Sequence, residues 1–161
     1  MGAEIKRIML DVNVVLDDYL PDRETGLMSR ELIDRCRLAG IELLYPAASV
    51  QNIFYVIVSA LKRAVRSEGR EVTPAVSDTI TRLAWSCVDN LEELGTPVGM
   101  DGSDIWLAGK HRDLNPDLED DLVIAACKRA GADYLATNDR KLREKSPVPA
   151  LSPEDLLALI G

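Results

Sequence analysis

Short apolar runs alternate along this chain with longer segments in which apolar residues recur at helical spacing. In the segment that follows Ser49, for example, Ile53, Ile57 and Leu61 share one helical face. Parallel strands need long crossover connections, which usually carry helices. The alternation therefore predicts a single α/β domain over residues 1–161, a three-layer α/β/α sandwich with a mostly parallel central sheet.

Proline and glycine mark the expected ends of several elements. Pro21 disfavours helix at the residue before it, Gly40 and Gly131 suit helix C-termini, and Pro74 suits a first helical turn. The predicted strands are 5–10, 41–45, 97–99, 133–137 and 148–151. The predicted helices are 13–20, 27–39, 50–64, 74–94, 103–110, 118–130 and 153–160, with Ser49 and Ser152 as N-caps.

The chain is acidic, with a formal net charge of −8, and 47% of its 161 residues are hydrophobic. These values indicate a folded core and argue against broad electrostatic attraction to nucleic acid or an anionic membrane. They do not exclude a nucleic-acid enzyme, because local basic stretches can contact phosphates. The basic stretches are 61–70, 110–112 and 140–145.

Signals for targeting and for disulfide bonding are sparse. No run approaches the roughly 18 apolar residues of a membrane span, and the first residues, MGAEIKRIML, lack the apolar core of a signal peptide. Cys36, Cys87 and Cys127 have no metal-binding spacing and indicate reduced thiols. We therefore expect a cytoplasmic protein without membrane association.

Polar residues follow two of the predicted strands at the point where each strand ends. Asp11 and Asn13 follow the first strand, and Thr137, Asn138 and Asp139 lie at the end of a later one. The carboxyl ends of parallel strands lie at the same edge of a sheet, where ligands of such folds bind. We therefore expect these side chains to lie close together.

A third acidic group begins the helix between those strands, in the stretch DLEDD. Asp117 is the predicted N-cap, Asp120 lies about one turn along, and Asp121 points about 100° away from Asp120. Acids here stabilise the positive end of the helix dipole, and this explains any one of them, with Asp117 and Asp121 as capping or solvated residues. The crowding of the whole set also suits a hard divalent cation.

The three acidic positions together suggest a metal site. We expect Asp11, Asp120 and Asp139 to converge and to hold Mg²⁺ or Mn²⁺, which would activate water and stabilise the leaving oxygen of a phosphodiester. Asn13, Thr137 and Asn138 are expected to position the substrate phosphate or metal-bound water through hydrogen bonds.

Two stretches resemble the PIN domain, a small α/β family of mostly Mg²⁺- or Mn²⁺-dependent ribonucleases. The stretch IMLDVNVVLDDYL is similar to the opening of the domain, and DLEDDLVIAACKRAGADYLATNDRKL is similar to its second half. The resemblance implies catalytic and metal-binding roles for Asp11, Asp120 and Asp139, and a further metal-binding acid at Asp117. Asp121 replaces the small residue that usually follows Asp120, so the register between these two acids stays open.

Many bacterial members of this family resemble VapC, the toxin of a toxin–antitoxin pair. The resemblance therefore implies an RNA substrate, either single-stranded RNA or tRNA, and a small antitoxin as partner. Dimers are frequent in the family, so a homodimer is a further implied assembly, although no sequence feature identifies its interface.

One position departs from the family pattern. The family has a glutamate three residues after a Ser or Thr in the helix that follows strand two; here Ser49 matches, but the glutamate position holds Asn52. Asn52 offers a carbonyl oxygen to a metal or its water but no charge, which implies weaker metal binding. An alternative reading follows, in which a PIN-like domain has weakened or lost catalysis and binds RNA or a protein.

A phosphatase of the haloacid-dehalogenase type also begins with a strand that ends in aspartate. That chemistry needs a second aspartate two residues later as its acid and base. Asn13 occupies that position here and cannot shuttle the proton. The sequence therefore favours the nuclease over the phosphatase.

Overall fold

The computed structural model describes residues 4–21, 23–113 and 117–161, and these form a five-stranded parallel sheet flanked by helices. The strands are β1 Arg7–Leu10, β2 Glu42–Pro46, β3 Thr96–Val98, β4 Tyr134–Ala136 and β5 Ala150–Leu151. The helices are α1 Val12–Tyr19, α2 Gly26–Ala39, α3 Val50–Ser67, α4 Pro74–Leu94, α5 Gly102–His111, α6 Leu118–Ala130, α7 Arg140–Lys145 and α8 Pro153–Ile160.

The strand order is β3-β2-β1-β4-β5, and each neighbouring pair is parallel. β1 is therefore the central strand, and its register pairs Met9 with Leu44 of β2 on one side and with Leu135 of β4 on the other. Eight residues of β1, β2 and β4 are buried hydrophobics, as expected for a sheet covered on both faces.

The alternation of side chains along β1 separates two hydrophobic clusters. Ile8 and Leu10 belong to a large cluster with residues of α1, α2, α3, α4 and α8. Met9 belongs to a second cluster with residues of α6 and with Leu142 of α7. The sheet thus separates two helical layers, and the predicted three-layer sandwich is confirmed.

Several predicted helix ends are confirmed by their caps. Gly40 and Gly131 end α2 and α6 in the left-handed conformation, where a side chain would be strained. The Ser152 hydroxyl accepts a hydrogen bond from the backbone N–H of Asp155 at the start of α8.

Three local features differ from the prediction. A 3-10 turn, Ala47–Ser49, precedes α3, so Ser49 already has helical dihedral angles and its side chain makes no capping bond. The last strand begins at Ala150 rather than at residue 148. Helix α7 was not predicted, because it has only one buried residue, Leu142, and therefore shows no apolar period. No helix in the described ranges has both the length and the apolar character needed to cross a bilayer.

Gly95 allows close packing where α4 ends beside the sheet. A Cβ atom added at Gly95 would lie 2.4 Å from the backbone oxygen of Leu43 in β2. The backbone of β2 is paired with a strand on each side and cannot shift without disturbing that pairing. Position 95 therefore has room only for glycine.

We predict that Gly95→Ala destabilises the protein by about 1–3 kcal/mol, the usual cost of overpacking. Urea unfolding would measure the loss. Gly99→Ala is the matched control, because a Cβ atom at Gly99 meets nothing within 4 Å. Equal stability of the two variants would contradict the prediction.

Candidate functional site

Asp11 lies at the carboxyl end of β1 and is also the N-cap of α1. Its Oδ1 accepts a hydrogen bond from the backbone N–H of Val12 at 2.7 Å, and its Oδ2 accepts from Asn13 Nδ2 and Thr137 Oγ1, both at 2.6 Å. The side chain is buried, with 7% of the residue exposed. The predicted neighbourhood of Asp11, Asn13 and Thr137 is therefore present in the structure.

The electrostatic environment of Asp11 disfavours its charge. Burial raises the pKa of the Asp11 carboxyl from 3.8 to about 6, against the lowering effect of the hydrogen bonds from Thr137 and Val12. The negative charges of Asp120 and Glu119 raise the pKa of Asp11 further. Asp11 is thus a desolvated carboxylate within electrostatic range of two other carboxylates, and a positive charge would relieve both penalties.

Asn13 connects the ends of β1 and β4. Its Oδ1 accepts a hydrogen bond from the backbone N–H of Asn138 at 3.0 Å, and its Nδ2 also lies 3.2 Å from Thr137 Oγ1. The Thr137 hydroxyl oxygen in turn accepts from the backbone N–H of Asp139 at 3.1 Å. The predicted positioning residues Asn13, Thr137 and Asn138 therefore form one hydrogen-bonded group around Asp11.

The side chain of Asn138 reaches a second buried carboxylate, Asp17 of α1. Asn138 Nδ2 donates to Asp17 Oδ2 at 2.9 Å. Asp17 also accepts from Thr25 Oγ1 at 2.7 Å and from Ser29 Oγ at 2.6 Å, and Arg23 forms an ion pair with it. Asp17 is fully buried, and this network joins α1, α2 and the end of β4.

Sequence reasoning missed Asp17, although one signal was available. Asp17 lies four residues after Asn13, so both side chains are on the same face of α1. A polar pair at this spacing in a mostly apolar helix indicates a face directed at the strand ends.

We predict that Asp17→Ala destabilises the protein by about 3 kcal/mol, because it leaves buried hydroxyl and amide donors without their acceptor. Urea unfolding gives the free energy, with Asp34→Ala as control, since the Asp34 side chain is 74% exposed. A loss no larger than that of the control would show that the network contributes little.

The acids at the start of α6 have three different environments. Asp117 is exposed and caps the helix, accepting from the backbone N–H groups of Glu119 at 2.9 Å and Asp120 at 3.4 Å. Asp120 is half-buried, and its charge acts on Asp11. The predicted N-cap, Asp117, is confirmed, and the choice between Asp120 and Asp121 stays a prediction.

The interpretation of Asp121 as a capping or solvated residue is wrong. Asp121 is only 2% exposed, because α5 packs against α6 and covers that side of the helix. Burial raises the pKa of its carboxyl, and the charge of His111 lowers it. Within the described part of the chain, Asp121 Oδ1 has no hydrogen-bond partner.

Asp139 is exposed and caps α7, the helix that sequence reasoning did not predict. Its Oδ1 accepts from the backbone N–H groups of Lys141 at 2.8 Å and Leu142 at 3.1 Å. Across residues 4–21, 23–113 and 117–161, no three His, Cys, Asp or Glu side chains are gathered closely enough to hold a metal ion. The metal-ligand set therefore stays a prediction, and it consists of Asp11, Asp120, Asp139 and Asp117. Within this set, the charge of Asp120 raises the pKa of Asp11.

Glu119 is the acidic residue of this region that sequence reasoning did not select. Both of its carboxylate oxygens accept from Asn52 Nδ2, each at 3.0 Å. Asn52 and Glu119 line a groove of about 470 Å³, whose other walls include the apolar side chains of Val98, Met100 and Leu122. The Asn52–Glu119 pair therefore forms a polar part of the groove wall.

We predict a change in the pH dependence of stability in Asp11→Asn, measured with a chelator present. Because the folded-state pKa of Asp11 is raised, the stability from its protonated form is fully present below pH 3.8 and lost as the pH rises through about 6. The variant should therefore gain about 2–3 kcal/mol relative to the natural chain between pH 4 and pH 7. Urea unfolding at both pH values tests this, and a constant difference would contradict the raised pKa.

Comparisons with known proteins support the fold. No family model matches the sequence, and the search of curated proteins gives no significant match. The chain matches a chain in the crystal structure of FitAcB from Neisseria gonorrhoeae with a TM-score of 0.62 and 16% sequence identity, over 91% of this chain and 98% of that chain.

A second solved structure is the crystal structure of VapBC2 from Rickettsia felis bound to a DNA fragment from their promoter. The TM-score is 0.57 and the identity is 13%, over 91% of this chain and 98% of that chain. Identities this low show a shared fold and leave the activity to be argued from the site.

Proposed function

We propose that this protein is a metal-dependent endoribonuclease that hydrolyses single-stranded RNA or tRNA, and that it is the toxin of a toxin–antitoxin pair. The observation that carries the proposal is the environment of Asp11. This carboxylate is buried at the end of the central strand, accepts hydrogen bonds from neutral donors, and lies within electrostatic range of Glu119 and Asp120. Its fold, shared with chains of the FitAcB and VapBC2 structures, is related to that of toxin–antitoxin proteins.

The chemistry of these side chains fits a hard divalent cation. The donors are carboxylate oxygens, which Mg²⁺ and Mn²⁺ prefer, and their mutual repulsion would fall when a cation binds. Asp11 and Asp120 would hold the metal, with Asp139 and Asp117 as further ligands. When bound, such a metal lowers the pKa of its water and neutralises charge on the phosphodiester.

The neighbouring residues orient these acids. The Thr137 hydroxyl and the Asn13 amide each donate to the same oxygen of Asp11, which fixes the plane of that carboxylate. Asn13 and Asn138 would position the substrate through the groups that they hold, because Asn13 Nδ2 already donates to Asp11 and Thr137, and Asn138 Nδ2 donates to Asp17 and Ser29. Ordered neighbours of this kind keep reacting groups in position without a cost at each turnover.

Phosphate contacts would come from α7, which follows Asp139 directly. This helix carries Arg140, Lys141, Arg143 and Lys145, so it concentrates positive charge next to the acids in a chain whose net charge is −8. Arg143 donates to the backbone oxygen of Thr137 at 3.0 Å and is thereby tied to the site. A local basic helix binds the RNA backbone where the overall charge would repel it.

A small antitoxin is the proposed protein partner, and a homodimer is a further proposed assembly. The fold likeness to chains of FitAcB and VapBC2 supports the proposed antitoxin. Co-expression with the product of the adjacent reading frame, followed by co-purification, is the direct measurement.

We predict that the purified protein cleaves labelled single-stranded RNA or tRNA in Mn²⁺, and that Asp11→Asn lowers the rate about a hundredfold. A chelator should abolish cleavage, and Asp34→Asn should leave it unchanged, because Asp34 is exposed on α2. Full activity in folded Asp11→Asn would refute the assignment of the site.

The alternative function is a PIN-like domain with weakened or lost catalysis that binds RNA or a protein. The observation that favours it is the amide at position 52, where a charged ligand would strengthen metal binding. This alternative predicts RNA retention in a gel-shift assay, without cleavage, in all of the variants above.

A further inference from the structure

We propose that the groove lined by Asn52 and Glu119 binds one unpaired base of the RNA substrate, and that it selects guanine. Glu119 recognises the hydrogen-bonding edge of the base, Asn52 orients Glu119, and Tyr55 stacks on the ring. This inference rests on the proposed nuclease function, which makes RNA the ligand. It adds the identity of the base that lies next to the cleaved phosphodiester.

The groove begins one strand away from Asp11. Pro46 and Val98, the last residues of β2 and β3, are paired with each other and line the groove. Met9 of β1 is paired with Leu44 of β2. In the same register Asp11 is level with Pro46, and neighbouring strands lie about 4.8 Å apart. A base in the groove would therefore hold its own phosphates near the end of the central strand.

Three large apolar side chains line this groove and remain exposed. Tyr55 is 60% exposed, Met100 is 50% exposed and Leu118 is 65% exposed. Exposed apolar side chains gathered around one concave surface are typical of a binding site. The Tyr55 ring also makes a T-shaped contact with Phe54, with the ring centres 5.3 Å apart. An exposed aromatic ring that a neighbour holds in place suits stacking with an unpaired RNA base.

Two carboxylates line the groove, and they differ in their partners. Asp104 forms an ion pair with Arg129 at 3.0 Å. Glu119 has no ion pair within the described ranges, and both of its oxygens accept from Asn52 Nδ2, each at 3.0 Å. The neutral amide orients the carboxylate without cancelling its charge. Each Glu119 oxygen therefore retains lone-pair capacity for a donor of the ligand.

The orientation of the Glu119 carboxylate favours one base. Because a single amide nitrogen contacts both oxygens, their remaining lone pairs form two neighbouring acceptors. Among the four RNA bases, guanine alone has two adjacent N–H donors on its pairing edge, at N1 and N2. Adenine, cytosine and uracil each place an acceptor beside the donor, and this acceptor would face a carboxylate oxygen without a hydrogen bond. The groove is therefore complementary to guanine.

The test is the binding of labelled single-stranded RNA hexamers, measured by fluorescence anisotropy. Asp11→Asn is the parent protein and a chelator is present, so that the RNA is not cleaved during the measurement. The hexamers are oligoadenylates with a central guanosine, inosine or adenosine. Inosine differs from guanosine only in lacking the N2 amino group, which removes one of the two donors. We expect the guanosine hexamer to bind about tenfold more tightly than the inosine hexamer.

Two further substitutions separate base recognition from stacking. Glu119→Gln should abolish the preference for guanosine over inosine, because glutamine replaces one acceptor with a donor. Tyr55→Ala should weaken the binding of all three hexamers by about fivefold or more without changing their ratio, because stacking tolerates any base. Tyr55→Phe retains the ring and should bind as the parent does.

Controls separate a lost contact from a lost charge or a lost fold. Glu31→Gln removes the same charge as Glu119→Gln, but from an exposed position on α2, and should keep the preference for guanosine. Thermal unfolding should show that every variant compared is folded. In mixed-sequence RNA with Mn²⁺, the natural chain should cleave next to guanosine, and Glu119→Gln should cleave without this preference.

The outcomes distinguish this inference from the proposed function. Equal binding of the three hexamers, or a preference that persists in Glu119→Gln, overturns the guanine site, and Mn²⁺-dependent cleavage would still support the nuclease. A preference that Glu119→Gln abolishes, in a chain that cleaves no RNA, supports the base site and removes the nuclease. If Tyr55→Ala reduces co-purification with the antitoxin and leaves RNA binding unchanged, the groove binds the protein partner and the inference is overturned.

Discussion

The hydrogen bonds between the ends of β1 and β4 determine the rest of the site. The backbone N–H of Asp11 donates to the Ala136 oxygen at 3.0 Å, one step beyond the pairing of Leu10 with Ala136, so the strand pairing continues into the polar residues. This register brings Thr137 to the Asp11 carboxylate and Asn138 to the Asn13 side chain. The same backbone pairing that builds the sheet therefore also positions the acid on which the proposed chemistry depends.

Two carboxylates on the first helical segment have opposite environments and different consequences. Asp17 is surrounded by hydroxyl, amide and guanidinium donors and joins α1 to α2 and to the end of β4. Asp11 has neutral donors and acidic neighbours, so its charge is disfavoured. Asp17 thus stabilises the fold, whereas the charged form of Asp11 is destabilised by burial and by its acidic neighbours. A bound cation would relieve this destabilisation of Asp11, and perturbed carboxylates of this kind are typical of functional sites.

The sequence was sufficient to predict the layers and the proximity of Asp11, Asn13 and Thr137, because strand alternation and parallel pairing follow from local patterns. It was insufficient for Glu119 and Asp121. Helical geometry gives the angle between neighbouring acids but not which side a second helix covers, and α5 covers the side of Asp121. The contact of Asn52 with Glu119 spans 67 positions, and it depends on how closely α3 and α6 approach across the end of the sheet. Helix α7 is held by a cap and one buried side chain, so it has no periodic signal.

The separation of Met9 from Ile8 and Leu10 into different clusters has a consequence for how such a chain can vary over evolutionary time. A single residue inserted into β1 would exchange the two faces for every side chain that follows it. Leu10 would then face the α6 layer, and the carboxylate after it would no longer meet the Thr137 hydroxyl. Length changes are therefore expected in the connections between elements, whereas the four residues of β1 and the aspartate that follows them are constrained to one spacing.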